Sequence, residues 1–220
     1  PIGGIGNRFK ISGYKKPKAL IDICGVPILF HLLNNLNLQK IKLVCIPYNS
    51  EYKSYNFESL IVSKFPSITF KFFPLMKDTR GAAETIRIAL DLLISEDIKY
   101  PFTYDQMREQ LDKPILCVDA DNFYTCDIIN IWNGDNAVIT VKDYNRDAIY
   151  SYVKVDNKNN ILDIQEKVKI SNNACSGAYG FSSYYDLYKY ASVIIKNDKR
   201  QKGEYYTSGI IQEMIQNDYK

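Results

Sequence analysis

The sequence is poor in the residues that build metal centres. Its 220 residues include one histidine and five cysteines, and no two cysteines have the Cys-x-x-Cys spacing. Most of the cysteines lie in apolar runs, which is typical of buried reduced thiols. A zinc site is therefore not expected. The histidine, His31, lies beside leucine and phenylalanine in a helical pattern and is interpreted as a packing residue.

Long apolar stretches and a strong charge imbalance are also missing. No run is long enough for a transmembrane helix or a signal peptide, which favours a cytoplasmic location. The formal net charge of +3 is small, and no basic run is interleaved with aromatic residues. Nucleic acid and membranes are therefore not expected as partners.

What the chain does have is enough apolar sequence for one sizeable core. With 220 residues and 46% hydrophobic content, a single domain is the expectation. Residues 41–46 are a predicted strand that ends at Pro47, and residues 51–65 are a predicted amphipathic helix. Further strands are predicted at residues 68–73 and 114–118. This alternation predicts an α/β fold with a Rossmann-like, mixed but mainly parallel sheet and helices on both faces.

Three further segments are interpreted from their local patterns. Residues 150–155 and 161–167 flank a turn rich in asparagine, which predicts an inserted β-hairpin. Residues 175–181 alternate small and aromatic side chains and are a predicted strand. Residues 96–113 are polar and weakly patterned, so they are interpreted as a loop or insertion with a short helix.

The first residues of the chain combine glycines with cations. Gly3, Gly4 and Gly6 let backbone N–H groups face a ligand, and successive N–H groups form an anion nest. Arg8 adds a planar fork suited to phosphate oxygens, and Lys18 adds a mobile charge. The loop is neither a Walker A motif nor a complete dinucleotide fingerprint. A glycine-rich turn alone is more often a plain turn, but this combination predicts a triphosphate cradle.

Two other segments carry candidate ligand-binding residues. Small residues at 81–83 begin a predicted helix, where they either leave room for a ligand near the backbone or allow tight helix packing. Asp119 and Asp121 follow the strand at residues 114–118. Ligands of open parallel sheets bind beyond the carboxyl ends of strands, and Mg²⁺ is usually held by one or two carboxylates together with substrate phosphates. A solvated turn is the alternative for the aspartates.

Three motifs together resemble the sugar-phosphate nucleotidyltransferases, which join a nucleoside triphosphate (NTP) to a sugar 1-phosphate and release pyrophosphate. The motifs are Gly-Gly-x-Gly-x-Arg-Phe at residues 3–9, Pro-Lys-x-Leu at residues 17–20, and a helix-opening Gly-x-Pro at residues 25–27. The resemblance implies the nucleotide-diphospho-sugar transferase type of fold. It also implies one nucleotidyltransferase domain over residues 1–220 that lacks its first strand and its C-terminal end.

The resemblance implies roles on the nucleotide side. Arg8 and Lys18 would contact the phosphates above the glycine-rich loop. Gly81, Ala83 and Glu84 would hold the nucleobase, in an element whose usual glutamine is Glu84 here. An ionised glutamate only accepts hydrogen bonds, and cytosine offers an amino donor where uracil and thymine offer a carbonyl. CTP is therefore slightly favoured over UTP and dTTP.

The resemblance also implies a metal and an acceptor site. Asp121 would be the ligand of Mg²⁺, with Asp119 as a second candidate, and a further metal-binding aspartate is expected beyond residue 220. Glu166 would bind sugar hydroxyls, Lys167 the sugar phosphate, and Gly177 would line the sugar pocket. Without the resemblance, Glu166 and Lys167 are typical of an exposed charge pair. The implied partners are an NTP and a phosphorylated small-molecule acceptor.

Two other functions are compatible with these residues. Asp119, Ala120 and Asp121 fit the Asp-x-Asp metal motif of nucleotide-sugar-dependent glycosyltransferases. The phosphate-binding loop with Arg8 and the nearby Lys18 argue against that class. A non-catalytic nucleotide-binding module is the third possibility, and it would bind an NTP without turnover.

Overall fold

The computed structural model describes residues 1–4, 6–97 and 112–217, without the side chains of residues 7, 8, 96 and 97. The predicted loop or insertion at residues 96–113 thus lies almost wholly outside the described residues. Within these ranges, no helix combines the length and the apolar character that crossing a membrane requires.

The chain divides into two compact units. The first unit comprises Pro1–Thr79 and Val118–Asn133, and the second comprises Arg80–Cys117 and Gly134–Lys220. The helices are α1 (Asn7–Ile11), α2 (Ile28–Asn35), α3 (Phe57–Lys64), α4 (Ala82–Asp97), α5 (Ile128–Ile131), α6 (Tyr184–Lys196) and α7 (Thr207–Gln216). The strands are β1 (Asp22–Ile23), β2 (Val26–Pro27), β3 (Val44–Asn49), β4 (Phe70–Leu75), β5 (Ile115–Val118), β6 (Ala137–Lys142), β7 (Ser151–Val155), β8 (Ile161–Glu166) and β9 (Asn173–Phe181). Turns of 3₁₀ helix cover Lys18–Leu20, Leu38–Lys40 and Ser50–Tyr55.

Two parallel strands, β3 and β4, pair over their whole lengths in the first unit. The predicted parallel pairing is confirmed. The strand does not end at Pro47 as predicted, because β3 continues to Asn49. The carbonyl of Pro47 accepts a hydrogen bond of 2.9 Å from the N–H of Ile2. The nitrogen and the carbonyl of one strand residue face the same side, so the missing N–H of Pro47 removes no donor from the β3–β4 ladder.

The predicted helix over residues 51–65 is divided into two pieces. A 3₁₀ helix over Ser50–Tyr55 is followed by Asn56 with φ 50° and ψ 36°, and α3 starts at the next residue. Asparagine tolerates this left-handed conformation better than most residues, so it allows the change of direction. The rings of Tyr52 and Phe57, on either side of the break, lie 5.1 Å apart and are both buried.

A two-residue turn joins β1 to β2, and both of its residues have a positive φ. Ile23 pairs with Val26, which leaves Cys24 at φ 51° and Gly25 at φ 79° between the strands. This combination is typical of a type I′ turn, which glycine and asparagine favour. His31 of α2 lies beside the hairpin, with its Nε2 atom 2.8 Å from the carbonyl oxygen of Ile23.

Cys24→Asn is expected to stabilise the protein by about 0.5–1 kcal/mol, because asparagine adopts the left-handed conformation of this turn at a lower cost than cysteine. The free energy of unfolding in urea would measure the difference. Cys126→Asn is the matched control, since Cys126 is also an exposed thiol but has no positive φ. An equal gain in both variants would contradict the turn explanation.

The second unit contains a sheet in the order β5-β9-β7-β8, with β6 also paired to β9. Strands β7 and β8 are antiparallel, and Ser151 lies opposite Glu166. The predicted inserted hairpin is therefore confirmed. The carboxylate of Asp156 closes its turn by accepting from the N–H groups of Lys158 and Asn160, both at 2.8 Å. With the parallel strands of the first unit, these elements confirm the α/β class.

Helices α4, α6 and α7 build the core of the second unit. Leu187, Ile194 and Ile210 are among its fully buried members. On α4, Arg87 donates to the hydroxyl of Tyr188 at 3.0 Å, and its guanidinium lies 4.1 Å from the centre of that ring. This contact joins α4 to α6.

Candidate functional site

The glycine-rich loop lies in the first unit, at the end of the strands where β3 ends. Ile2 pairs in parallel with Tyr48, so the loop after Ile2 and the residues after β3 lie at the same end of the strands. Gly6 has φ +63°, and its carbonyl accepts from the next helical turn. A Cβ atom at Gly4 would meet no atom within 4 Å. The exposed backbone of Gly4 is therefore open to a ligand on that side.

The two predicted phosphate-binding cations follow this loop in the sequence, and a Cβ atom built on Gly6 would lie 3.5 Å from the Cβ atom of Lys18. Arg8 lies in α1, and its side chain is outside the described part of the structure. Lys18 begins the 3₁₀ turn Lys18–Leu20 and is 31% exposed at its side chain. Its Nζ atom donates to the Oδ2 atom of Asp121, which is 103 residues away in the sequence. The structure therefore brings together Lys18, a residue predicted to bind phosphate, and Asp121, the residue predicted to bind the metal ion.

A buried phenol supports the turn that carries Lys18. The hydroxyl oxygen of Tyr52 accepts a hydrogen bond of 3.2 Å from the N–H of Ala19. Burial raises the pKa of Tyr52 to about 12, and the charges of Glu51 and Asp121 act in the same direction. Tyr52 is thus a neutral group at physiological pH, and it fixes the backbone next to Lys18 without adding a charge.

The aspartates after β5 could bind Mg²⁺ only together with the phosphates of a substrate. Asp121 is exposed, Asp119 is half-buried, and both belong to the first unit. No group of three or more histidine, cysteine, aspartate or glutamate side chains among the described residues could hold a metal ion by itself. Mg²⁺ needs few protein ligands, because it keeps waters and takes substrate phosphates as ligands. One or two carboxylates next to a phosphate cradle therefore satisfy its requirements.

Sequence reasoning did not single out Asn49, the last residue of β3. Its buried side chain donates to the carboxylate of Asp78 at 2.9 Å and accepts from the N–H of Glu51 at 3.1 Å. Its own N–H donates to the carbonyl of Ile2, immediately before the glycine-rich loop. The available signal was a polar residue at the end of an apolar run, which resembles the signal that identified Asp121.

In the second unit, the small residues Gly81 and Ala83 at the start of α4 pack against the backbone of Tyr205. Gly81 has φ +139°, and a Cβ atom there would lie 2.5 Å from the carbonyl oxygen of Tyr205. The N–H of Ala83 donates to that same oxygen at 2.9 Å, and Ala83 is fully buried. Tight packing therefore accounts for both small residues, and their contact with a nucleobase is a prediction from the resemblance alone.

Glu84, in the first turn of α4, forms an ion pair with Arg80, which lies two residues before the helix. Its carboxylate accepts from the backbone N–H of Arg80 at 2.6 Å and from the guanidinium of the same residue. The hydrogen bond from Arg80 holds the pKa of the Glu84 carboxyl below its usual value. Glu84 is therefore ionised, as its proposed role requires, and it already has a partner.

A neutral cluster of charges surrounds the ring of Tyr205. The guanidinium groups of Arg80 and Arg200 lie 5.0 Å and 5.1 Å from its centre. Its hydroxyl donates to Asp198, and this bond and the Arg200 guanidinium keep the pKa of Asp198 low. With the Arg80–Glu84 pair, two cations balance two anions, so the cluster offers no net charge to a ligand.

Glu166 is buried, so the interpretation of Glu166 and Lys167 as an exposed charge pair is wrong for the glutamate. Its side chain is 6% exposed. The hydroxyls of Ser151 and Ser208 both donate to its Oε2 atom, the second at 3.1 Å. Two neutral donors solvate this carboxylate, since a buried polar group requires hydrogen bonds.

Lys167 directly follows Glu166, and its ammonium group contacts the phenol of Tyr206. Its backbone has φ 52°, and its side chain is 43% exposed. The Nζ atom donates to the hydroxyl of Tyr206 at 2.9 Å and lies 4.0 Å from the Oε1 atom of Glu166. The hydrogen bond to Tyr206 is the main cause that raises the pKa of Lys167 above its usual value.

Gly177 lies at an irregularity of β9. Ile139 pairs with Ala178, but the next residue of β6, Thr140, pairs with Cys175, so β9 bulges between these pairs. Gly177 has φ 77°, which suits glycine. Bulges often occur next to functional sites, where they redirect side chains. The predicted contact of Gly177 with a sugar is thus compatible with the local backbone.

Comparison with known proteins gives relatives that align along nearly the whole chain. No protein-family model matches it. The bifunctional protein GlmU of Campylobacter hominis is 26% identical over an alignment of 236 residues, gaps included. The alignment covers 99% of this chain and 45% of that protein. The bifunctional protein GlmU of Methanococcus aeolicus is 24% identical over 217 residues, which cover 96% of this chain. The chain spans 45% of the length of each of these two relatives.

Two solved structures of other proteins have the same fold along nearly the whole chain. The nucleoside-diphosphate-sugar pyrophosphorylase from Vibrio cholerae has a TM-score of 0.79 at 21% identity and covers 99% of this chain and 87% of its own. The inositol-1-phosphate CTP transferase from T. maritima has a TM-score of 0.68 at 12% identity, with 97% and 78% covered. These similarities confirm the predicted type of fold.

Proposed function

We propose that the chain is a sugar-phosphate nucleotidyltransferase, which transfers a nucleoside monophosphate from an NTP to a phosphorylated acceptor. Pyrophosphate is the second product. The acceptor is a sugar 1-phosphate or a similar small phosphate. The observation that supports this proposal most directly is the contact between Lys18 and Asp121 beside the glycine-rich loop.

The reaction is an in-line displacement at the α-phosphorus of the NTP. An oxygen of the acceptor phosphate forms the new P–O bond, and the bond to the bridging oxygen breaks, so that pyrophosphate leaves with the electron pair. No nucleophilic side chain is needed, because positioning and charge neutralisation supply most of the rate. Lys18 neutralises the α-phosphate, and Arg8 holds the oxygens of the leaving pyrophosphate.

The ion pair of Lys18 and Asp121 has a consequence for this mechanism. A lysine that is already ordered next to the phosphate position loses less conformational freedom when the substrate binds. Asp121 and Asp119 are the residues that would hold Mg²⁺. When bound there, Mg²⁺ would neutralise charge that develops on the phosphates.

In this proposal, Glu166 and Lys167 bind the two parts of the acceptor, its hydroxyl groups and its phosphate. The buried carboxylate of Glu166 accepts hydrogen bonds, which suits hydroxyls of a sugar or a cyclitol. The ammonium of Lys167 is partly exposed and suits a phosphate. Gly177, at the bulge of β9, lines the same acceptor site in this proposal.

We expect CTP to be slightly preferred, with kcat/KM about fivefold above UTP and dTTP, the low end of the range for one unmatched polar group. An ionised Glu84 can accept from the amino group of cytosine but not from the carbonyl of uracil or thymine, and an unmatched polar group costs about 1–3 kcal/mol. Pyrophosphate release would be measured with each NTP. Glu84→Gln is the matched variant and should reduce the preference, and equal or better use of UTP by the unaltered chain would refute it.

One screen separates the proposed function from its two competitors. NTPs are combined with glucose 1-phosphate, inositol 1-phosphate and phosphocholine, and pyrophosphate is measured. Release that depends on both substrates supports a nucleotidyltransferase. Transfer from a nucleotide sugar with release of a nucleoside diphosphate would instead support a glycosyltransferase, for which Asp119 and Asp121 provide the metal motif. NTP binding without any turnover would support a nucleotide-binding module.

A further inference from the structure

The start of α7 contacts the only cation of the proposed acceptor pair. Tyr206 is the residue before α7, and its hydroxyl oxygen accepts from the Nζ atom of Lys167 at 2.9 Å. The same ammonium lies 5.0 Å from the centre of the Tyr206 ring. Two attractive contacts of different kinds, a hydrogen bond and a cation–π contact, therefore fix one end of a flexible side chain.

The backbone of Lys167 is bent in a way that serves this contact. A non-glycine residue in the left-handed region, here at φ 52°, is uncommon and costs free energy. It occurs directly after the last residue of β8, while the N–H of Lys167 still donates to the carbonyl of Tyr150 at 2.9 Å. The strand pairing is thus kept through this residue, and the bend affects where the side chain leaves the sheet.

The chemistry of the partner matters as much as its position. A phenol orients the ammonium through a hydrogen bond and adds no negative charge of its own. The nearby carboxylate of Glu166 has its Oε2 atom occupied by Ser151 and Ser208. Its Oε1 atom lies 4.0 Å from Nζ and forms a long ion pair with it, so Tyr206 provides the shorter contact that fixes the position of the ammonium.

We propose that Tyr206 is a positioning residue that holds the ammonium of Lys167 for the phosphate of the acceptor. The inference rests on the proposed function and adds to it a role for Tyr206, which lies in a Glu-Tyr-Tyr segment that resembles a family element but was given no role from the sequence. Tyr206 acts through Lys167 and need not touch the substrate. The higher pKa of Lys167 agrees with this arrangement, because a phenol oxygen that accepts from an ammonium stabilises its charged form.

Tyr206→Phe tests the proposal because it keeps the ring and removes only the hydroxyl. The expected result is an increase of about tenfold in KM for the acceptor, since a hydrogen bond to a charged group is lost. The phosphate is held in the ground state and in the transition state alike, so kcat and the KM for the NTP should stay within about twofold. Tyr205→Phe is the matched control, because its hydroxyl bonds Asp198 and not Lys167.

Three outcomes would overturn the proposal. They are an unchanged KM for the acceptor in Tyr206→Phe, an equal increase in Tyr205→Phe, and a loss that falls on kcat alone. If the unaltered protein releases no pyrophosphate from any substrate pair, the proposed function fails by itself. Calorimetric titration of the three proteins with glucose 1-phosphate then decides on Tyr206: weaker binding in Tyr206→Phe alone supports its role, and equal binding in all three, or none in any, overturns it.

Discussion

Lys18→Ala is expected to lower kcat by about 10²–10³-fold, the usual effect of removing one preorganised charge from a transition state. In the proposed mechanism the ammonium of Lys18 neutralises the α-phosphate. Asp121 and the Tyr52-supported turn already hold this ammonium in place. Steady-state measurement of pyrophosphate release, with the best NTP and acceptor from the screen, gives the comparison. Unfolding in urea shows whether the variant remains folded.

Lys16→Ala is the matched control for this experiment. Lys16 lies two positions earlier and forms an exposed ion pair of 2.6 Å with Asp22, so its loss should leave kcat within about twofold. Asp121→Ala should lose activity to a similar extent as Lys18→Ala. The double variant should lose less than the product of both effects, because the two residues act on the same phosphates. Near-normal turnover in Lys18→Ala would remove the basis of the proposed mechanism.

Local patterns in the sequence were sufficient to name Lys18 and Asp121 as candidate residues. Asp121 was identified because it follows an apolar strand, and ligands of open parallel sheets bind beyond such strand ends. Lys18 was identified from the glycine-rich loop and the Pro-Lys-x-Leu motif, and the resemblance implied that both residues act on one polyphosphate. Their direct contact across 103 residues of sequence is a finding of the structure, because no local pattern contains it.

Burial was harder to predict where a charge was involved. Glu166 was interpreted by its chemical type, and a Glu-Lys dipeptide is exposed in most proteins. The strand period of two contained the missing signal, because Ile164 and Glu166 share one face of β8 and both are buried. The donors from Ser151 and Ser208 that make this burial possible come from other elements, and no local pattern identified them.

The second unit also shows where one motif has two explanations. Gly81 and Ala83 fit a ligand-binding helix start and a tightly packed one equally well as a sequence. Their partner, the backbone of Tyr205, is more than a hundred residues away, and a backbone contact leaves no trace in side-chain identity. The N–H of Tyr205 donates to the carbonyl of Arg80, and the carbonyl of Tyr205 accepts from the N–H of Ala83. These two hydrogen bonds require the close approach of the two backbones. The packing explanation makes a prediction that the ligand explanation does not.

Gly81→Ala is expected to destabilise the protein by about 2–6 kcal/mol. About 1–3 kcal/mol arises from an alanine forced to φ +139°, and a similar amount from overpacking, because its Cβ atom would lie 2.5–2.9 Å from backbone atoms of Tyr205. Backbone atoms cannot move aside as the end of a flexible side chain can. Urea unfolding followed by circular dichroism measures the change, and the loss is a large part of a typical domain's stability.

Gly203→Ala separates the two causes of this loss. Gly203 has φ +87°, but a Cβ atom there would meet no atom within 4 Å, so only the backbone strain of about 1–3 kcal/mol is expected. A clearly larger loss for Gly81→Ala than for Gly203→Ala would show that the close approach of Tyr205 is what requires glycine. Equal losses would mean that Tyr205 can move away, and the space beside Gly81 would then be open to a nucleobase after all.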